Sequence, residues 1–129
     1  MDDFYRDFIL DHYRNPRNFG HLEKPDAVAE DRNPLCGDEM RVEIDVDEAG
    51  KVSDIRFSGK GCAISQASAS MLIESAKGKS LESILALNEE SVLENVGIDI
   101  SPTRMKCAML GLGVLKSAAL AGIAKANPE

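Results

Sequence analysis

Positive charge is scarce in this sequence of 129 residues, which has 15 lysines and arginines against 22 aspartates and glutamates. The resulting formal charge of −7 favours solubility. It disfavours the phosphate backbone of a nucleic acid, or an anionic membrane surface, as the main partner. We therefore expect a protein that binds neither nucleic acid nor membrane.

Long apolar runs and a basic leader are also missing. No apolar stretch approaches the length of a membrane span, and the N-terminal segment MDDFYRDF is acidic where a secretory or organellar leader would be basic. The length suits one compact domain over residues 1–129 and is too short for two ordinary ones. We expect a single-domain, cytoplasmic protein that is not cleaved.

Cysteine occurs at only three positions, Cys36, Cys62 and Cys107, and no two of them form a CxxC pair. An odd number cannot be fully paired within one chain, and disulfides are rare in the cytosol. Free thiols or metal ligands therefore remain as their roles. Histidine occurs only twice: His12 falls on an apolar helical face, His21 falls in a loop, and we assign neither to a site.

Both ends of the sequence have helical periodicity. Apolar residues recur every three or four positions from Phe4 to Tyr13, and Asn15-Pro16 ends the pattern. Near the other end, Ser101 and Pro102 supply the N-cap and the first position of a long last helix. Its apolar stripe, which we interpret as core, comprises Met105, Met109, Leu112, Leu115, Ala119 and Ile123.

The period changes to two in the first half of the chain. Apolar and charged residues alternate over residues 40–46, which predicts a strand with one buried face. A DEAG turn and a second alternating stretch predict an antiparallel partner, with a bulge near Ser53 because Val52 falls out of phase. Residues 15–35 are mostly loop, with one weak edge strand at residues 27–29.

Serines mark the starts of three further helices. Ser65 would cap a helix that ends at Gly78, and Ser80 would cap a short one. Ser91 with Glu94 has the spacing of a capping box. The predicted fold class is therefore α+β, with helices packed on one face of a small antiparallel sheet.

All three cysteines are predicted to lie at the ends of elements. Cys36 precedes the first strand, Cys62 lies between the second strand and the next helix, and Cys107 lies within the first two turns of the last helix. Element ends that meet at one edge of a sheet bring distant side chains together. Amides at a helix N-terminus would lower the pKa of Cys62 and favour its thiolate, and Arg104 and Lys106 would act on Cys107 by their charge.

Asp38 lies two residues after Cys36. Alone, a turn aspartate usually caps a backbone amide. Beside three convergent thiols it becomes a fourth ligand, either in a tetrahedral zinc site or at the open positions of an iron–sulfur cluster. One weak carboxylate ligand would make a site that releases what it holds. Gly59 and Gly61 would either let a bulky inorganic group approach the backbone or simply form a glycine-rich connection between strand and helix.

Four separated motifs carry a resemblance to one family. They are HYRNPRNFG at 12–20, NPLCGDEM at 33–40, FSGKGCAISQASASML at 57–72 and RMKCAML at 104–110. In this order, over nearly the whole chain, they resemble the U-type iron–sulfur scaffold proteins: IscU, SufU and the N-terminal domain of NifU.

The resemblance implies a three-stranded sheet with flanking helices. It implies that a [2Fe-2S] cluster is built on sulfur from a cysteine desulfurase and handed to apo-proteins or carriers, by a monomer or a cluster-bridged dimer. Cys36, Asp38, Cys62 and Cys107 match the ligands. Cys107, and Cys36 in a SufU-like protein, are the candidate persulfide acceptors.

Features of two branches are mixed in this sequence. A histidine precedes the last cysteine in the IscU branch, whereas Lys106 stands there here, as in SufU-like proteins. The segment before that cysteine is nevertheless as short as in IscU. The segment ISPTR at 100–104 replaces the LPPVK of IscU, which argues against dependence on the dedicated chaperone.

Three functions follow from these observations. The first is a scaffold, not an enzyme, on which two ferrous ions and two sulfides assemble. The second is a zinc-dependent sulfurtransferase in which Cys36 is released to take a persulfide from the desulfurase. The third is a structural zinc domain, against which the lack of a fourth cysteine or histidine in a suitable motif counts.

Overall fold

A computed structural model describes residues 2–34, 37–97 and 99–126 of the chain. Over these residues it has five α-helices and three β-strands. Their order is α1 (Asp2–Arg14), β1 (Ala27–Asn33), β2 (Asp38–Val46), β3 (Val52–Lys60), α2 (Ala63–Ala76), α3 (Leu81–Leu85), α4 (Glu89–Val96) and α5 (Pro102–Ala126). The α+β class is confirmed.

The described strands form one antiparallel sheet in the order β1-β2-β3, as the resemblance implies. Alternate side chains of the central strand β2 point to opposite faces. Met40, Val42 and Ile44 are buried on one face. Asp38 shares this face, because it precedes Met40 by two residues. Its carboxylate therefore points toward the side of the sheet that the helices cover.

The predicted bulge is present at Ser53. Asp45 pairs with Asp54 and Val46 pairs with Val52, so Ser53 is the extra residue on β3. The extra residue restores the phase of the strand, and Val52 is fully buried as a result.

Helices α2 and α5 cover the face of the sheet that carries Met40 and Ile44. Helix α5 packs on β1 and β2, and α2 packs on β3 and on α5. A β-carbon built on Gly111 of α5 would lie 3.2 Å from the Ala69 Cα of α2, so these helices approach closely because both residues are small. Helix α1 packs on α2, and the buried Nδ1 of His12 lies 2.7 Å from the Ser70 Oγ.

Helix α5 is long and apolar enough, by length and composition, to cross a membrane. The expectation that no stretch reaches that length did not allow for this helix. Half of its most apolar window is buried inside the protein, and a core helix passes the same test. Its contacts with the sheet and with α2 explain its apolar composition.

Three element boundaries differ from the predictions. Strand β1 continues to Asn33, because as an edge strand it tolerates the charged residues 30–32 that hid it in the sequence. Helix α2 begins at Ala63 with Cys62 as its N-cap, so Ser65 lies within the helix. Helix α4 is capped by Asn88, and Ser91 is its third residue, in a reciprocal capping box. The cap of α3 by Ser80 is confirmed.

Candidate metal and cluster site

Three elements bring Asp38, Cys62 and Cys107 together. Asp38 is the first residue of β2, Cys62 is the N-cap of α2, and Cys107 lies in the second turn of α5. One carboxylate oxygen and the two sulfurs all lie within 4.8 Å of one another. Asp38 and Cys107 are buried, whereas Cys62 is partly exposed and gives the cluster of ligands its access to solvent.

Cys36, the remaining predicted ligand, lies outside the described residues. The residues on either side of this gap are held at the same end of the sheet as Asp38. There the Gly37 amide donates a hydrogen bond to the Asn33 carbonyl oxygen over 2.8 Å. The assignment of Cys36 to the site stays a prediction.

The Asp38 carboxylate and the start of α2 are joined directly. Its Oδ1 accepts a hydrogen bond from the Cys62 backbone N–H, with an N–O distance of 3.0 Å. The carboxylate therefore satisfies one of the free amides at this helix N-terminus. Capping and ligation, which the sequence offers as separate roles for Asp38, are geometrically compatible.

Gly61 makes this contact possible. A β-carbon at this position would lie 2.4 Å from the Ser65 Oγ and 2.5 Å from the Asp38 Oδ1. At Gly59, where φ is +137°, a β-carbon would lie 2.1 Å from the Glu39 carbonyl oxygen. Neighbouring protein atoms thus take up the space that the sequence suggests for an inorganic group. Gly59 serves the close approach of β3 to β2, and Gly61 serves the contact of the Asp38 carboxylate with the start of α2.

Opposing effects act on the Cys62 thiol. Burial raises the pKa of Cys62, and the negative charge of Asp38 adds to that rise. The amide and hydroxyl of Ser65 and the amide of Ile64 lower the pKa by more, so it falls below its ordinary value. The fall agrees with the expectation for a cysteine at a helix N-terminus.

Ser65 is a residue near the site whose role does not follow from the sequence pattern. Its hydroxyl donates to the Cys62 carbonyl oxygen over 3.0 Å and lies 3.8 Å from the Cys62 Sγ. The available signal is its spacing of three residues from Cys62, which is nearly one helical turn. The sequence favours Ser65 as the N-cap instead, because serine is a far commoner cap than cysteine.

Arg104, Lys106 and the two histidines are the other residues that the sequence raises in connection with this site. The exposed side chains of Arg104 and Lys106 make no hydrogen bond or ion pair with the rest of the described chain, and their tuning role stays a prediction. The Nδ1 of His21 lies 2.7 Å from the buried Glu43 carboxylate on the opposite face of the sheet. His21 is therefore not simply solvated, as its loop position would indicate.

The donor set suits a thiophilic metal. Zinc binds sulfur at about 2.3 Å and carboxylate oxygen at about 2.0–2.2 Å, and iron–sulfur clusters are held by thiolates. Three ligand atoms within 4.8 Å of one another need only small side-chain rotations to meet one ion. The residues fit either zinc or an iron–sulfur cluster.

The family model described as the NifU-like N terminal domain matches residues 4–127. The iron-sulfur cluster assembly scaffold protein IscU 1 of Archaeoglobus fulgidus is 39% identical over 114 residues, covering 88% of this chain and 73% of the relative. A crystal structure of a putative iron-sulfur cluster assembly scaffold protein for the SUF system from Fervidobacterium islandicum is 30% identical. It has a TM-score of 0.72 and covers 87% of this chain and 93% of that one.

The zinc-dependent sulfurtransferase SufU of Bacillus subtilis is similar to the same extent. It is 37% identical over 143 residues, covering 97% of this chain and 92% of the relative. That alignment is longer than the 129 residues of this chain. SufU therefore has residues without a counterpart here.

Proposed function

Since the chain belongs to the family of NifU-like N-terminal domains, we propose that it is a scaffold for iron–sulfur cluster assembly and not an enzyme. The observation that carries the proposal is the mixed donor set, a carboxylate and two thiols within 4.8 Å of one another. In this role iron and sulfide are the cargo, and a [2Fe-2S] cluster is held by Asp38, Cys62 and Cys107 together with Cys36. The relatives named IscU scaffold proteins support it.

The hydrogen bond between Asp38 and Cys62 supports a site that releases its cargo. The Asp38 carboxylate that would bind iron already accepts the Cys62 amide on its Oδ1, over 3.0 Å. When the carboxylate leaves the metal, it therefore has a hydrogen bond and is not left as an unpaired buried charge. This second partner lowers the cost of dissociation for one ligand out of four.

The sulfur would come from a cysteine desulfurase as a persulfide, and two electrons from an external reductant would convert each sulfane sulfur to sulfide. Cys107 and Cys36 are the predicted acceptors. Cys107 is only 1% exposed, so it would accept sulfur only after the residues that cover it move. The completed cluster would pass to apo-proteins or carriers in the cytoplasm, from a monomer or a cluster-bridged dimer.

A zinc-dependent sulfurtransferase is the second candidate. Lys106 in place of a histidine and the 37% identity to SufU favour it, and the same ligands suit zinc. The length of the chain favours the scaffold instead. The alignment with the scaffold relative IscU 1 has 114 positions for 88% of this chain, so it places almost no gaps in this chain. The SufU alignment has 143 positions for 97% of this chain, so it places many more.

The test begins with protein purified without oxygen and analysed for iron, zinc and acid-labile sulfide. It is then incubated with cysteine, ferrous iron, a reductant and a cysteine desulfurase. Near-equal iron and sulfide, with absorption bands between about 320 and 460 nm, would support the scaffold. Zinc that iron does not displace, with faster desulfurase turnover, would support the sulfurtransferase. A Cys62→Ser variant is the control, and wild-type protein that binds neither metal would overturn both.

A further inference from the structure

Helix α2 buries four polar side chains, and one of them differs from the others. The hydroxyls of Ser65 and Ser68 donate to the carbonyl oxygens of Cys62 and Ala108. The Ser70 hydroxyl contacts the His12 ring and accepts the Arg17 amide. Gln66 is 7% exposed, and its Nε2 is the one buried side-chain nitrogen or oxygen without a hydrogen-bond partner in the described part of the chain.

A buried amide nitrogen without an acceptor destabilises a fold, and such groups are rare in native proteins. Methionine or leucine at this position would fill the same volume and would leave no unpaired polar group. The helix needs no amide here for its own structure. The presence of Gln66 at this position therefore indicates a ligand that binds its amide nitrogen.

Gln66 lies one helical turn beyond Cys62. Its backbone N–H donates to the Cys62 carbonyl oxygen over 3.1 Å, which puts the two residues on the same side of α2. Side chains on a helix lean toward its N-terminus, so the Gln66 amide leans toward the turn that carries Cys62. That turn is the partly exposed side of the metal and cluster site.

The chemistry of the amide nitrogen selects the ligand. An NH₂ group donates hydrogen bonds and accepts none, so its partner is a hydrogen-bond acceptor and not a metal ion. None of the acceptors in the described residues reaches it. The acceptor that the proposed function brings to the site shared by Cys62 and Cys107 is sulfur, either as a sulfide of the cluster or as the outer sulfur of a persulfide.

We propose, resting on the scaffold function, that Gln66 is a positioning residue that donates a hydrogen bond from Nε2 to sulfur delivered beside Cys62. The hydrogen bond forms only with the cargo in place, which explains why the donor has no partner without it. Hydrogen bonds to sulfur also raise the reduction potential of a cluster, so Gln66 contributes to its redox properties.

The test compares wild-type protein with Gln66→Met, which keeps the volume and removes the donor. The apo variant should unfold at the same temperature as wild type or higher, because an unpaired group is lost. Its reconstituted cluster should be lost to a chelator about tenfold faster, the loss expected when a hydrogen bond to a charged group is removed. The reduction potential of the cluster should fall. Ser75→Ala, an exposed change on the same helix, is the matched control and should alter none of these.

A second arm separates the two forms of sulfur. Protein incubated with desulfurase and cysteine, without iron, is assayed for persulfide on each cysteine by alkylation and mass spectrometry. A persulfide lost faster in Gln66→Met, with an unchanged cluster, assigns the hydrogen bond to persulfide. Unchanged lifetimes of both forms, with an unchanged potential, would overturn the proposal. Wild-type protein that takes up sulfur in neither form would instead show that the scaffold function itself is wrong.

Discussion

At the scale of single residues, Asp38 links the metal site to the fold. Its side chain is buried on the helix-covered face of the sheet and accepts the amide of Cys62. Removing the carboxylate therefore has two separable consequences, one for the cargo and one for the start of α2. Isosteric and truncating variants distinguish them.

Asp38→Ala should make the bound cluster longer-lived, because the exchangeable ligand is removed. It should also lower the free energy of unfolding of the apo protein by about 1 kcal/mol, since the cap of Cys62 is lost. Asp38→Asn keeps an oxygen for that amide. It should change the cluster lifetime while lowering the free energy of unfolding less than Asp38→Ala does. Chelator-induced bleaching and urea unfolding measure the two effects. An unchanged cluster lifetime in both variants would rule out the labile-ligand role.

Gly61→Ala is a further test at the same site. Gly61 has no positive φ, so it is the lack of space, and not the backbone conformation, that demands glycine. The new methyl group would overlap the Ser65 Oγ and the Asp38 Oδ1. We expect metal affinity to fall at least about tenfold and stability to fall by about 1–3 kcal/mol, as for other overpacked sites. Titration with zinc and thermal unfolding measure these; zinc affinity equal to wild type would contradict the geometry.

At the scale of elements, α2 and α5 determine where the ligands meet. Each carries one cysteine near its N-terminal end, and Gly111 against Ala69 sets the distance between their axes. Two of the serines that α2 buries, Ser70 and Ser68, are hydrogen-bonded to α1 and α5, so the helix is held by polar as well as apolar contacts. A change in the spacing of the two helices should therefore alter the distance between Cys62 and Cys107.

Gly111→Ala and Gly113→Ala form a matched pair on α5. A β-carbon at 111 would lie 3.2 Å from the Ala69 Cα and Cβ, whereas one at 113 would have nothing within 4 Å. Gly113→Ala should raise stability by about 0.5–1 kcal/mol through helix propensity. Gly111→Ala should lower it by about 1–3 kcal/mol by forcing the helices apart. Thermal unfolding of both variants tests this, and equal gains would show that the contact is not tight.

At the scale of the whole molecule, the open face of the sheet carries a buried acid, Glu43. It accepts hydrogen bonds from the Leu22 amide at 2.8 Å and the Arg41 Nε at 2.9 Å, and it contacts His21. Burial raises the pKa of Glu43, but His21, Arg41 and the Leu22 amide lower it by more, to about 2. The group ties the segment before β1 to the sheet.

The pKa of Glu43 predicts how stability changes in acid. Because the folded pKa is below the ordinary 4.5, the stabilisation is complete above pH 4.5 and is lost as pH falls toward 2. The shift corresponds to about 3 kcal/mol of the free energy of unfolding. Glu43→Gln should be less stable than wild type by about that much at pH 7 and as stable as wild type near pH 2. Urea unfolding across this range measures it.

Glu30→Gln is the control for that series. Glu30 pairs with the same Arg41, but its side chain is 62% exposed, so the change should alter stability by less than about 0.5 kcal/mol. A pH-independent difference between wild type and Glu43→Gln would mean that the charge of Glu43 contributes nothing.

Local patterns in the sequence determine much of this protein by themselves. Three such features depend only on residues that are close together in the sequence: the alternation over residues 40–46, the bulge at Ser53 and the cap at Ser80. The structure has all three. The motifs around Cys36, Cys62 and Cys107 identify the family by their order along the chain. For β1 the sequence predicts only a three-residue strand. Its charged residues 30–32 have no strand pattern of their own, and pairing with β2 holds them in the strand.

Only the tertiary structure decided which distances the site has. Asp38 and Cys62 are 24 positions apart, and no local pattern fixes the 3.0 Å between the carboxylate and the amide. The same holds for Gly59 and Gly61, which serve close contacts with β2 and α2 and not an inorganic group, and for the unpaired Gln66. Periodicity depends on neighbours along the chain, whereas these contacts depend on how β2, α2 and α5 pack, and packing is a property of the whole fold.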